Sequence, residues 1–142
     1  MELIFITHLF TSLLMIGLCW FVQIVHYPLF HQIKLEEFSK YERKNVVTGF
    51  ITVPLMTIEL TTGLYLLWTN PSFIYLLNIG LLGLIGLSTI FHQVPIHLKL
   101  MKEPSKALIN KLILTNWIRT ISWTIRLILL AIILSQNIVV IN

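Results

Sequence analysis

The sequence predicts an all-α integral membrane protein: a four-helix bundle with both termini outside and a short cytoplasmic amphipathic helix. Three observations carry that prediction. The 142 residues are 56% hydrophobic and only 11% charged, where soluble domains run at roughly 25% charged. Four apolar stretches each reach the about 20 residues that a helix needs to cross a hydrocarbon core. The basic residues gather between those stretches, in alternate loops. A chain of this length fits one domain over residues 1–142. Its net charge of +4 is no nucleic-acid signal, because the Lys and Arg residues are not clustered among stacking aromatics. The lone Cys19 rules out an internal disulfide framework and a cysteine metal motif.

The spans are expected near Leu3–Tyr27, Val46–Trp68, Phe73–Ile96 and Leu112–Val140. The first is too long for a signal peptide's apolar region and lacks a basic start, so it is expected to be retained. "TNPS" (Thr69–Ser72) is a turn joining the second span to the third. Lys34, Lys40, Arg43 and Lys44 fall in the first loop, and Lys99, Lys102, Lys106 and Lys111 in the third. By the positive-inside rule both loops are cytoplasmic, which places the protein as a multi-pass component of the bacterial inner membrane. In the first loop, Phe38 and Tyr41 stand three apart among charges. They suit an amphipathic helix on the membrane surface or an extension of the second span.

Each span carries polar residues at helical spacing. On the first these are His8, Ser12, Cys19, Gln23 and His26; on the second, Asn45, Thr48, Thr52, Glu59 and Thr62. The fourth has Asn116, Arg119, Thr120, Trp123 and Arg126. On the third, Ser88 and His92 share a side while Gln93 and His97 point elsewhere. Four such stripes are expected to face inward, away from lipid. Pro28, Pro54 and Pro95 each remove an amide donor and should break or bend their helices beside a cavity. Gly80, Gly83 and Gly86 suggest a close helix approach.

Depth along the bundle sorts the charges. At 1.5 Å per residue, Glu59 and Arg126 both lie roughly 20 Å from the cytoplasmic ends. Ionisable groups at such depth pair and face the interior, so these two are expected to form an ion pair, either a structural clamp or a proton-handling carboxylate. Arg119 lies roughly 10 Å deep, level with Gln23, His26, Asn45, Thr48, His92 and Asn116. Two arginines against one intramembrane carboxylate leave a cation over. A guanidinium there suits a carboxylate or phosphate ligand; otherwise it reaches lipid phosphate or Glu42. Trp117 and Trp123 pack the core or mark the interface. His26 and His92, on different helices, suit axial haem ligation. No His-x-x-x-His pair or Glu-x-x-His motif points to a di-iron site.

The strings "WFVQIVHYPLF", Phe38 with Tyr41 and Glu42, "PLMTIELTTG", "HQVPIHLKL" and "NWIRTISWTIR" cover nearly the whole chain. Through them it resembles an uncharacterised family of small bacterial four-helix membrane proteins. That resemblance implies that Gln23, His26, Glu59, Gln93, His97, Asn116, Arg119 and Arg126 belong to recurring strings. In size and layout the chain is also similar to anthrone oxygenase-like membrane proteins. It resembles as well the small membrane protoporphyrinogen oxidases, in His8 and "VHYPLFH" but not in "NWIRT".

The functional expectation is a membrane oxidoreductase or cofactor binder with a polar cytoplasm-facing pocket that takes an anionic or amphiphilic ligand. Its catalytic candidates are Glu59, His26 and His92. Arg119, Asn116, Arg126, Gln23 and Trp123 are the candidate ligand-binding residues; no metal site is assigned, and haem is the cofactor considered. The alternatives are a non-catalytic metabolite carrier, for which a homodimer is expected since no inverted repeat is visible, and an assembly subunit of a membrane complex.

Overall fold

The computed structural model describes residues 2–136 in full and the backbone of 137–141. The side chains of the last four residues of the expected fourth span therefore lie outside the described residues. Four helices are long and apolar enough to cross a membrane: α1 (Glu2–Gln32), α3 (Thr48–Thr69), α4 (Phe73–Leu100) and α5 (Lys106–Ile141). The short α2 (Leu35–Asn45) lies between α1 and α3. No strand occurs among the described residues. α1 packs on α3 and α5, and α4 packs on the same two helices, which closes the ring. Large apolar side chains such as Phe10, Phe50, Trp68 and Phe91 point outward, while His8, Gln23, Glu59, Asn116 and Arg126 are buried. This polar-inside, apolar-outside arrangement suits a bundle in lipid.

α1 and α4 share a device that decides which residues face inward. Pro28 and Pro95 each lack an amide hydrogen and crowd the carbonyl four residues back. Ahead of each proline the helix widens into a π-turn, over Val22–His26 in α1 and Thr89–Gln93 in α4. Tyr27 N–H donates to the Val22 carbonyl and Val94 N–H to the Thr89 carbonyl, each five residues back. A π-turn inserts an extra residue into the helical register and so rotates everything beyond it. This is why Gln93 is buried and His97 reaches an interior cavity, although a constant 100° rotation turns both elsewhere. Pro54, by contrast, sits within an unbroken α3.

α2 is a helix of its own, separated from α3 by a turn at Val46 and Val47. Glu36 and Glu37 in its first turn and Arg43 and Lys44 in its last complement the helix dipole. Its apolar side rests on protein: Phe38 is fully buried against Tyr27, Phe30, Leu100 and Leu112. Glu42, one turn further along the same face, is buried with it. α2 thus plugs the basic end of the bundle. At the other end of α3, the turn into α4 is closed by Ser72, whose Oγ accepts from Tyr75 N–H at 3.4 Å.

The interior is layered. Phe5, Leu66, Tyr75, Leu130 and Ile133 close the end near the termini. Met15, Cys19, Leu82, Ile85 and Trp123 form an apolar septum at mid-height, and the Phe38 cluster closes the basic end. Each of the two gaps between these layers holds a polar centre. The close helix approach falls at Gly63, where an added Cβ stands 2.5 Å from Ile79 Cδ1 and 3.0 Å from His8 Cε1. Gly80, Gly83 and Gly86 face open space, so the expected tight contact through them does not form.

Candidate functional site

The deeper polar centre is the expected ion pair. Arg126 Nη2 donates to Glu59 Oε2 at 2.6 Å, and neither side chain is exposed at all. The remaining valences are filled nearly completely. Glu59 accepts from the hydroxyls of Thr11 and Ser12, the latter at 2.9 and 3.0 Å. Asn78 Oδ1 accepts from Arg126 Nε at 3.1 Å and Nη2 at 3.0 Å, while its amide nitrogen donates to the Arg126 carbonyl. The Trp123 ring covers the guanidinium, with its centroid 4.5 Å from Cζ, a cation–π geometry. Thr62 donates its hydroxyl to the Ile58 carbonyl at 2.6 Å and so accepts from His8 Nδ1 at 2.8 Å. That assignment leaves the His8 Nε2 lone pair facing Arg126 Nη2 at 3.5 Å. Arg126 Nη1 alone of its guanidinium nitrogens has no hydrogen-bond partner, so this centre is a charge-neutral, nearly closed clamp joining α1, α3, α4 and α5.

The second centre surrounds a cavity of about 280 Å³ at the basic end, between α1, α3 and α4 under the plug of α2. Arg119 lines it from α5. Its Nη1 donates to Asn116 Oδ1 at 3.2 Å, its Nε has no partner, and the side chain is 9% exposed. No carboxylate stands within 4.0 Å of it among the described residues. Asn116 is itself oriented by Gln23, whose Oε1 accepts from its amide at 2.9 Å. Gln23 is held in turn by donating to the Ile113 carbonyl at 3.2 Å. Gln23 and Asn116 therefore fix the direction of the guanidinium without reaching the cavity themselves.

On the cavity wall opposite α5 stands an arrangement that the stripes did not reveal. Glu42 Oε1 accepts from His97 Nδ1 at 2.5 Å, and His97 Nε2 meets the Tyr27 hydroxyl at 3.0 Å. With the carboxylate on Nδ1–H, Nε2 is the acceptor for the phenol. Hydroxyl, imidazole and carboxylate then stand in the order that general acid–base chemistry uses. Asn45 joins the chain, its amide 3.4 Å from Glu42 Oε2 and its Oδ1 accepting from His26 Nε2 at 3.0 Å. Tyr41, beside Glu42 on α2, has its phenol pushed up from the usual value by burial first and by the Glu42 carboxylate second, so it stays protonated at neutral pH.

The structure therefore divides the sequence-derived candidates. Arg119 and His26 line the cavity. Glu59 and Arg126 belong to the clamp beyond the septum, and Trp123, part of the septum itself, covers the guanidinium. Asn116 and Gln23 stand behind Arg119, and His92, with its Nδ1 buried and unpartnered, lies outside the cavity. His26 and His92 thus share no space, and His26 Nε2 is already committed to Asn45; the pair does not fit the faces of a porphyrin. No group of three or more His, Cys, Asp or Glu residues among the described ones is placed to hold a metal ion. Of the residues not weighed as catalytic, Glu42 had a legible signal, standing four residues after Phe38 on the face that must be buried. Asn78, the lone amide in "FIYLLNIGLLGLIGL", had one too. No family model, curated protein or solved structure matches this chain.

Proposed function

We propose that the chain is a multi-pass protein of the bacterial inner membrane, with its basic end in the cytoplasm, and that its cavity binds a small ligand through the ligand's anionic group. Arg119 carries this reading. A guanidinium nine-tenths buried, with no ion-pair partner and with Nε free, is costly in a low-dielectric bundle unless an anion completes it. The bidentate fork suits a carboxylate or phosphate. Gln93 Oε1, unpartnered on the same cavity, offers an acceptor to a hydroxyl on the ligand. The test is native mass spectrometry of the protein released from native membrane patches. The expected result is a bound small molecule that is retained at least tenfold less, about 1.4 kcal/mol, by Arg119→Gln. Equal retention by the variant overturns the reading.

A second reading, proton transfer on that ligand, is favoured by the Glu42–His97–Tyr27 chain. Here Tyr27 exchanges a proton with the ligand while His97, oriented by Glu42, takes or returns it. Tyr27→Phe should then weaken binding by no more than the roughly tenfold that a neutral hydrogen bond is worth. Conversion of the bound molecule, followed by mass spectrometry, should cease. Unchanged conversion in Tyr27→Phe, or none in the parent protein, leaves binding alone.

A further inference from the structure

The cavity does not end at its polar wall. A second hollow of about 330 Å³ runs between α3 and α4, and Val53, Met56 and Thr89 belong to the walls of both. Cavity and groove therefore adjoin along these three side chains. Beyond those shared residues the groove is lined by Leu60, Leu82 and Ile90, with Gly83 and Gly86 among its lining residues. An added Cβ at either glycine meets nothing within 4 Å, so these residues leave a channel open rather than drawing two helices together. Its rim is lipid-facing: Val53 is 62% and Ile90 61% exposed. From Val53 to Leu60 the groove follows α3 for roughly 10 Å, from the edge of the cavity into the apolar middle of the span.

We infer that this groove holds the hydrocarbon tail of a single-chain anionic amphiphile, which enters sideways from the bilayer and sets its carboxylate or phosphate head on Arg119. This rests on the anion-binding reading of Arg119 and adds the class of ligand. Three features of the molecule support it. Among the described residues, the one buried cation without an ion-pair partner lies near the polar end of a track that, Thr57 and Thr89 aside, is apolar. The track opens on the apolar outer surface of the bundle beside Val53 and Ile90. And its direction, head at the basic end and tail toward mid-membrane, is the one that an amphiphile already has in the adjoining leaflet, so loading requires no inversion.

The experiment uses the full chain in nanodiscs of zwitterionic lipid and three photoreactive diazirine probes: palmitate labelled at mid-chain, lysophosphatidate labelled likewise, and butyrate labelled at its end. The two long probes are expected to crosslink to Met56, Leu60 or Ile90. Arg119→Gln should reduce that labelling at least tenfold. Gly83→Leu and, from the opposite wall, Leu60→Trp should each suppress it, while butyrate still labels the cavity in both variants. Whichever long probe labels more strongly tells a fatty-acid head from a phosphate head. If the long probes label only the cavity, or if both groove-filling variants leave groove labelling unchanged, the tail assignment is wrong and the anion site stands. If no probe depends on Arg119, both fall.

Discussion

The two buried arginines stand seven residues apart on one helix and have opposite surroundings. Arg126 meets a carboxylate, an asparagine that grips two of its nitrogens, and an indole ring. Arg119 meets one asparagine oxygen, the Tyr27 hydroxyl beside it and a cavity. The apolar septum of Met15, Cys19, Leu82, Ile85 and Trp123 keeps the two apart. Charge in a membrane interior is expensive in both places, and each guanidinium keeps one buried nitrogen without a hydrogen-bond partner, Nη1 at Arg126 and Nε at Arg119. Only Arg126, however, is neutralised by a carboxylate of the protein's own. A neutralised buried pair holds four helices in register and offers an anion nothing. A buried cation without a carboxylate leaves its charge to whatever enters.

The largest expected effect comes from breaking the clamp. Arg126→Leu leaves Glu59 buried without its cation, and Glu59→Leu does the reverse. Each single change should cost about 3–5 kcal/mol, the usual result of stranding one buried charge. The double variant, which strands neither, should recover a large part of that loss. Unfolding followed in mild detergent checks it. Single and double variants of equal instability would mean that Asn78, Thr11 and Ser12, rather than the charge pair, carry the register.

Gly63 sharpens the same comparison from the packing side. It sits where α3 passes closest to α4 and to His8 of the clamp, and an added Cβ stands 2.5 Å from Ile79 Cδ1. Gly63→Ala should cost about 1–3 kcal/mol through overpacking, while Gly80→Ala, with open space around it, should stay within about 0.5 kcal/mol. Comparable losses at the two positions would refute the assignment of Gly63 as the contact point.

Why the clamp was legible in the sequence and the cavity only half so follows from how each is built. Glu59 and Arg126 lie on uninterrupted stretches of α3 and α5, where 1.5 Å per residue converts sequence position into depth. The cavity wall depends on what lies beyond two π-turns. Each turn adds a residue to the register, so a wheel drawn at constant angle puts His92 on the polar side and His97 off it, the reverse of the observed arrangement. The prolines that provoke the turns were visible; their consequence was not, because a proline can also end a helix or, as at Pro54, leave it continuous. Glu42 was hidden differently. It lies outside the spans, on a loop helix that reads as resting on the membrane surface or extending the second span, and the burial of Phe38 one turn earlier carries it into the bundle. The glycine triplet on α4 was legible as a pattern and misleading as to use, because three small residues leave space equally well for a helix or for a lipid chain.

The smallest expected change in stability separates the arginines most cleanly. Arg119 donates to Asn116 and stands beside the Tyr27 hydroxyl, but its Nε is buried without a partner, so the folded state already carries an uncompensated desolvation cost there. Arg119→Leu removes that cost together with the bond to Asn116, and Asn116 keeps its other partner, Gln23. The two terms nearly cancel, so unfolding should shift by less than about 1 kcal/mol in either direction. The matching change at Arg126 should cost several-fold more. A residue that matters to the fold this little, yet is directed into a cavity by two buried amides, has its position set by what it binds. A large loss of stability in Arg119→Leu would instead make it a second clamp, and the cavity beside it a by-product of packing.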